Sequence, residues 1–308
     1  MVIVPFIAVL IITSLIRKIA LAIGIVDDAG GDPLKIHKQP VALLGGLAIV
    51  TAVVIGLVVV RCSSFVGWIS YTVYWNELIG IIVGGLMIFG IGLWDDIRKI
   101  SPFVRFLTHV LAGVVILMAG LRMNFIPIWW IFVPFTIIYV AGAINAFNVT
   151  DGMDGLCAGI SLISCVGYFF LGLKSGNVLL CALAGILFMS LLGFLPFNFH
   201  PAKIFLGDAG SGFLGFILGT MAVMATSKPY DIVNFIAAIL VIGVPVFDMA
   251  FAILRRFIRR RSLFTGDRGH LYDLLLKKGW SQPKVWVVIC GIQSVLVGVA
   301  LVLTYRIP

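Results

Sequence analysis

Long apolar runs alternate along this chain with short polar stretches that carry most of the charged residues. A membrane-spanning helix needs about 20 predominantly apolar residues, and the hydropathy pattern predicts ten such segments. We expect the eighth to be short and irregular, because it follows Gly212 and is rich in glycine. Among the boundaries between segments, the one that divides 103–147 into two spans is the least clear in the hydropathy pattern. The segments lie near 2–23, 43–60, 77–94, 103–120, 127–147, 156–173, 178–197, 213–227, 232–254 and 284–305.

Composition agrees with this pattern. Of the 308 residues, 61% are hydrophobic and 11% are charged, whereas about a quarter of a soluble domain is charged. We therefore predict an all-α polytopic membrane protein and exclude a soluble enzyme. The spans leave no room for a separate soluble domain, so residues 1–308 are predicted to form one membrane domain. Arg17 and Lys18 follow the first apolar run without a small-residue cleavage site, which predicts a retained span.

The distribution of cations predicts the orientation. Seventeen of the 22 Lys and Arg residues fall in or beside the loops that follow spans 1, 3, 5, 7 and 9. Because positive residues concentrate in cytoplasmic loops, that side is predicted to be cytoplasmic and both termini to lie outside. The same bias accounts for most of the net charge of +9, so we predict contact with membrane lipids and none with nucleic acid.

Ten of the thirteen acidic residues fall on the same predicted cytoplasmic side. Topology does not require them there, because Asp and Glu contribute little to orientation. Carboxylates in several loops at one membrane face therefore predict a single polar site. Each motif also has a purely structural alternative, such as an ordinary positive loop for the stretch that contains Lys38.

The third span ends in GLWDDIRKI, with Asp95 and Asp96 adjacent at the predicted water interface. Paired carboxylates suit Mg²⁺, a hard cation that takes oxygen ligands. The alternative is that the two acids only mark a solvated helix end. Their position at the C-terminus argues against this alternative, because acids are unfavourable at the negative end of the helix dipole.

The stretch NVTDGMDG joins the fifth and sixth spans. Asp151 and Asp154 would share one helical face if the helix has begun, and Asn148 precedes them. The alternatives are a bare hinge or one acid that caps the sixth span. Two acids and an asparagine exceed what a cap needs, so we predict a site.

Three further loops carry candidate residues. Lys38 lies in KIHKQP, Asp208 lies in the glycine-rich turn IFLGDAGS, and His270 lies in the charged loop near 255–283. Asp208 can take a metal and the turn's amides can receive an anion. His109 and His200 are interpreted as structural. Asp248, an acid within an apolar run, is a site candidate by default, although it also suits the cytoplasmic end of span nine.

Five motifs in this order resemble the polyprenyl-phosphate N-acetylhexosamine-1-phosphate transferases over nearly the whole chain. They are KIHKQP followed by GG, GLWDD, NAFNVTDGMDGL, NFHPAKIFLGDAGS and GDRGHLYDLLLKKG. The resemblance implies transfer from a UDP-N-acetylhexosamine to undecaprenyl phosphate, which releases UMP and starts a surface polysaccharide such as O-antigen, common antigen or teichoic acid. It implies Mg²⁺ as the cofactor, with Mn²⁺ as a substitute, in the cytoplasmic membrane of a bacterium. A homodimer stays open.

The resemblance also assigns roles. It implies a catalytic centre of Asp95, Asp96, Asp208 and His270, in which the three aspartates hold the metal. Phe205 is placed to stack on uracil, and His270 to approach the diphosphate or the sugar. The implied substrate-binding residues are Lys38, Asn148, Asp151, Asp154, Asn198, Phe205 and Arg105.

Two departures bear on the donor. Tyr272 and Asp273 stand where many family members have further histidines, and the three-histidine run of the branch that uses UDP-N-acetylmuramoyl-pentapeptide is absent. This favours UDP-GlcNAc.

The rival interpretation is a transporter with a cytoplasmic carboxylate gate. Transporters place coupling acids near the midplane of the membrane and often contain internal repeats. Here the acids lie at the ends of spans, and the sequence shows no repeat. A non-catalytic scaffold would not need the acids.

Overall fold

The computed structural model describes residues 3–28, 40–62, 75–126, 128–226, 230–260 and 269–306. These residues form twelve helices and one two-stranded antiparallel sheet. The elements are α1 (Ile3–Ile23), β1 (Val26–Asp27), β2 (Val41–Ala42), α2 (Gly45–Cys62), α3 (Trp75–Ile97), α4 (Pro102–Met118), α5 (Trp129–Thr150), α6 (Leu156–Ser175), α7 (Val178–Asn198), α8 (Gly207–Ala225), α9 (Ile232–Val241), α10 (Gly243–Ile258), α11 (Leu271–Lys277) and α12 (Gln282–Arg306).

Each predicted apolar segment except the ninth coincides with one helix, and 103–147 divides into α4 and α5 as predicted. Among the described residues, seven helices are long and apolar enough to cross a membrane. The ninth predicted segment is two helices, α9 and α10, which meet at an angle of 85°, as in a broken span or a re-entrant loop. Helices α2 and α4 are apolar but shorter. The fold is therefore an all-α, multi-pass membrane protein, while the count of ten spans and the orientation stay predictions.

The prediction that the eighth segment is short and irregular is wrong. Helix α8 is a regular helix of 19 residues, and every residue from Ala209 to Ala225 is buried. Its glycines act as small residues that let neighbouring helices approach closely. A regular helix also satisfies its own backbone hydrogen bonds, which a segment inside an apolar bundle must do.

Helix α8 is the centre of the bundle, packed by α2, α3, α5 and α6. It crosses α3 closely, and a Cβ on Gly92 would lie 2.5 Å from the Cα of Ala209. A glycine at this crossing lets the two backbones touch. Because Asp96 is one helical turn beyond Gly92 on the same face, the close crossing brings its carboxylate to the N-terminus of α8.

The segment between α7 and α8 is held against the small sheet at this end of the bundle. Ala42 and Ile204 form a parallel bridge, and Phe205 N–H donates to the Ala42 carbonyl at 2.8 Å. The ends of α3 and α5, the start of α8 and the sheet therefore surround one space, in which the predicted site residues meet.

Candidate active site

A cleft of about 380 Å³ lies between these helix ends. Its walls come from five separate parts of the chain and are mostly polar. The lining residues are Val26, Asp27, Leu43, Asp96, Lys99, Asn148, Asp151, Gly152, Met153, Asp154, Asn198, Phe205, Gly207, Asp208 and Ser211.

Asp96, which lies at the end of α3, caps the N-terminus of the neighbouring helix α8. Its Oδ1 accepts the backbone N–H of Asp208 at 2.7 Å, and its Oδ2 accepts that of Ala209 at 3.1 Å. Gly207 has φ +72°, and a Cβ there would lie 2.5 Å from Asp96 Oδ2, so glycine is needed for both the backbone and the space. An acid at the unfavourable end of α3 is thus stabilised by the favourable end of α8.

Asp95 and Asp208 converge on one cation. Arg105 Nη1 donates to Asp95 Oδ2 at 2.7 Å and to Asp208 Oδ2 at 3.2 Å. Asp95 is almost completely buried, and its Oδ1 accepts the N–H of Ile100 at 2.7 Å. Lys99 Nζ lies 3.8 Å from Asp208 Oδ2. Two carboxylates from different helices therefore point at one position that is occupied by positive charge.

The NVTDGMDG stretch forms the turn between α5 and α6, and neither of its acids caps α6. The residue at the start of α6 is Gly155, which makes no side-chain cap, and Asp151 ends α5. Asp151 and Asp154 instead line the cleft, and Ser211 on α8 donates to Asn148 Oδ1 at 2.9 Å. The alternative that one of the acids caps α6 is therefore wrong.

Acidic side chains dominate the cleft. Five of its lining residues are aspartates, against one cation, Lys99, among the described lining residues. Burial, and then the nearby charges of Asp208, Asp96 and Asp154, raise the pKa of Asp151 well above its ordinary value. A diphosphate could enter such a cleft only together with a cation, because its own charge would otherwise be repelled.

The far wall of the cleft is held by Asp154. Its Oδ2 accepts the His200 Nδ1–H at 2.8 Å and the Ala202 N–H at 3.1 Å. Beside it, Asn198 donates to the Ile204 carbonyl at 2.9 Å, while the buried Oδ1 of Asn198 has no partner among the described residues. A buried polar atom at a cleft wall favours a ligand that donates a hydrogen bond.

Comparison with known proteins agrees with this architecture. Residues 78–226 match the family model described as glycosyl transferase family 4. The chain is 35% identical, over 93% of its length and 79% of the relative's, to the probable undecaprenyl-phosphate N-acetylglucosaminyl 1-phosphate transferase of Bacillus subtilis (strain 168).

The chain belongs to the polyprenyl-phosphate N-acetylhexosamine-1-phosphate transferase family. It is also 31% identical to the decaprenyl-phosphate N-acetylglucosaminephosphotransferase of Mycobacterium tuberculosis (strain ATCC 25618 / H37Rv), over 90% of this chain and 75% of the relative. A phospho-N-acetylmuramoyl-pentapeptide-transferase of Desulfotalea psychrophila is 28% identical, over 93% of this chain and 86% of the relative. The resemblance inferred from the five motifs is confirmed.

Most residues predicted for this transferase meet at the cleft. Seven line it: Asp96, Asn148, Asp151, Asp154, Asn198, Phe205 and Asp208. Asp95 and Arg105 stand directly behind Asp208. His270 does not line the cleft; it lies beyond Tyr272, whose hydroxyl would overlap a Cβ on Gly152. Lys38 lies outside the described residues. The roles of all these residues stay predictions.

Three contacts were not foreseen from the sequence. His200, interpreted as structural, holds the Asp154 carboxylate. Asp248 holds His270, and Lys99 lies on the cleft wall. The rule that an acid within an apolar run is a site candidate did single out Asp248. No signal in the sequence pairs His200 with Asp154, because the two residues belong to different loops.

The residues present can bind Mg²⁺ through two carboxylate ligands. Among the described residues, no group of three or more His, Cys, Asp or Glu side chains could hold a metal ion. Proteins usually bind Mg²⁺ through one or two carboxylates together with waters and substrate phosphates, so Asp95 and Asp208 suffice. Both oxygens of Asp96 accept backbone N–H groups, whereas Asp95 Oδ2 accepts a side chain, that of Arg105, which can move away from an ion. Asp96 is therefore better suited to fixing Asp208 than to binding the ion.

Proposed function

We propose that this membrane enzyme transfers N-acetylglucosamine 1-phosphate from UDP-GlcNAc to a polyprenyl phosphate and releases UMP. The observation that carries the proposal is the convergence of Asp95 and Asp208 on one cationic position beside a carboxylate-lined cleft. Phosphoryl transfer depends chiefly on positioning and charge neutralisation. The names of the relatives support both the lipid phosphate acceptor and the aminosugar phosphate.

In the proposed step, an oxygen of the lipid phosphate forms a bond to the sugar-bearing phosphorus of the donor. The bond from that phosphorus to the oxygen shared with the uridine-bearing phosphate breaks, and UMP leaves with that oxygen. A direct attack is favoured over an aspartyl-phosphate intermediate. Both oxygens of Asp95 and both of Asp96 already accept hydrogen bonds, which weakens either as a nucleophile.

Asp95 and Asp208 would hold Mg²⁺, with Mn²⁺ as a substitute, and the ion would supply neutralisation of the diphosphate charge. Arg105 and Lys99 lie against the same carboxylates. These two side chains would balance the charge of the incoming lipid phosphate. The carboxylates therefore orient the cations, and the cations bind the phosphates.

The nucleotide would lie along the wall formed by Asn148, Asp154, Asn198 and Phe205. Phe205 offers a ring for uracil, and Asn198 Oδ1 offers a buried acceptor for its N–H. Asp154, held by His200, would contact the same end of the donor. Lys38, from the stretch between β1 and β2, would add a cation. The two residues of β1, Val26 and Asp27, border the cleft.

The proposed setting is the cytoplasmic membrane of a bacterium, with the cleft at the cytoplasmic face. There, a soluble nucleotide sugar and a lipid phosphate can meet, and the product would start a lipid-linked surface polysaccharide. Span positions and the cation bias support this orientation.

The test mixes purified protein, Mg²⁺, undecaprenyl phosphate and UDP-GlcNAc, and measures UMP. We expect UMP and a lipid-linked GlcNAc diphosphate in equal amounts. UDP-GalNAc and UDP-MurNAc-pentapeptide, tried separately, define the donor. Absence of UMP with every UDP-aminosugar, together with uptake of a solute into proteoliposomes, would favour the transporter alternative.

A further inference from the structure

One face of α10 holds the three consecutive residues Gly269, His270 and Leu271. Asp248 and Arg255 are seven residues apart on this helix, so they share a face. Asp248 Oδ2 lies 3.0 Å from His270 Nδ1, and Asp248 Oδ1 accepts the Leu271 N–H at 3.0 Å. Arg255 Nη1 donates to the Gly269 carbonyl at 2.8 Å. The turn that carries His270 is therefore bound at three successive positions by one helix.

The contact with Asp248 determines which nitrogen of His270 carries a proton. An ionised carboxylate only accepts hydrogen bonds, so Nδ1 must be the donor. Nε2 is then the ring nitrogen left for a further partner. Both side chains are largely buried, with 4% of the His270 side chain and 15% of the Asp248 side chain exposed, so the pair is shielded from exchange with water.

The same turn connects the histidine to the edge of the cleft. The rings of His270 and Tyr272 stack with an interplanar angle of 11° and centroids 6.2 Å apart. The Tyr272 hydroxyl in turn lies against Gly152, which lines the cleft. A shift of the His270 turn would therefore be transmitted to the donor wall, and correct placement of His270 depends on its anchor on α10.

We propose that Asp248 is a positioning residue for the transfer reaction, which fixes the ring orientation and the Nδ1 proton of His270. This inference rests on the proposed function and on the role that the family resemblance implies for His270, an approach to the diphosphate or the sugar. Asp248 itself does not line the cleft. It acts through His270 in the way that a buried aspartate orients a histidine in hydrolases.

The kinetic test uses Asp248→Asn. The amide offers one oxygen where the carboxylate offers two, so either His270 Nδ1–H or Leu271 N–H loses its acceptor. We expect kcat for UMP release to fall about 100-fold, with KM for UDP-GlcNAc unchanged within about twofold. Asp248→Glu should recover part of the rate, because it restores the carboxylate.

A double-mutant cycle separates positioning from a purely structural cap. In a His270→Gln background, Asp248→Asn should cause no further loss of kcat, because the histidine it serves is gone. An equal loss in both backgrounds would overturn the proposal. Asp231→Asn is the matched control: Asp231 caps α9 through Asn234 N–H at 2.9 Å, away from the site, and its substitution should leave kcat unchanged.

A spectroscopic arm does not depend on turnover. In protein labelled with ¹⁵N-histidine, where His270→Gln assigns the signal, we expect wild-type His270 to carry a proton on Nδ1 and Asp248→Asn to shift that signal. A wild-type His270 protonated on Nε2 alone, or an unchanged signal in the variant, would overturn the proposal. Absent UMP with the expected ¹⁵N result would refute only the proposed function, whereas UMP with an unchanged signal would refute only the positioning role.

Discussion

Asp96 at the end of α3 accepts the backbone N–H of Asp208 at the start of α8, with 2.7 Å between Oδ1 and N. This bond places the predicted metal ligand by its main chain, so the geometry of Asp208 does not depend on its own side-chain rotamer alone. The first turn of the most buried helix in the described part of the bundle is thereby tied to the helix that carries Asp95.

Asp96→Ala should therefore lower stability as well as turnover. It leaves two helix N-terminal amides without their acceptor, which typically costs about 1 kcal/mol. We expect a lower thermal midpoint and loss of UMP release. Asp231→Ala removes a comparable cap from α9 and should lower the midpoint by a similar amount with kcat retained. If the two variants lose activity equally, the Asp96 effect is only destabilisation.

Arg105→Ala should increase the thermal stabilisation given by Mg²⁺. Without the guanidinium, Asp95 and Asp208 lose the positive charge between them, so the site without metal is destabilised and the ion gains attraction. Each tenfold gain in apparent Mg²⁺ affinity adds about 1.4 kcal/mol of stabilisation at saturating ion. The measurement is the thermal midpoint with and without Mg²⁺.

Arg122→Ala provides the control for that experiment. The Arg122 guanidinium lies over the Phe132 ring, 5.1 Å from its centroid, and contacts none of the cleft aspartates. Its removal should leave the Mg²⁺ shift as in the wild type. A Mg²⁺ shift that is no larger in Arg105→Ala than in Arg122→Ala would contradict a metal site at Asp95 and Asp208.

Gly152→Ala should reduce kcat through Tyr272. The added Cβ would overlap the Tyr272 hydroxyl, so the tyrosine and the His270 turn must move. In the double variant with Tyr272→Leu, the alanine should cause no loss beyond that of Tyr272→Leu alone. Gly142→Ala, where the new Cβ would meet no described atom within 4 Å outside its own helix backbone and chain neighbours, should retain full activity. A further loss in the double variant would show that Gly152 acts independently of Tyr272.

His200→Ala should raise KM for UDP-GlcNAc about tenfold and leave kcat unchanged. The substitution removes one of two hydrogen bonds that orient Asp154, and a bond to a charged group contributes about 1.5–3 kcal/mol. Initial rates of UMP release over a range of donor concentrations give both constants. Asp154→Asn should have a similar effect on KM, and the effects of the two substitutions on KM should not be additive in the double variant. Additive effects would show that His200 serves another purpose.

The amino-acid sequence by itself determined the class of the protein and most of the residues that gather at the cleft. Apolar runs long enough to span a bilayer lack an alternative, because a membrane interior admits only internally hydrogen-bonded helices or closed barrels. The positions of the ten segments could therefore be predicted from local hydropathy. Carboxylates such as Asp151 and Asp208 were predicted because an acid beside hydrocarbon is costly unless it serves a purpose.

Only the tertiary structure decided how those residues divide the work. Hydropathy is a property of each segment alone, whereas contacts between helix ends depend on how the segments cross. The close approach at Gly92 brings Asp96 to the N-terminus of α8 as its cap, and the burial of α8 within the bundle requires a regular helix where an irregular one was expected. The partnership of Asp248 with His270 joins residues from separate parts of the chain, so no local pattern could reveal it.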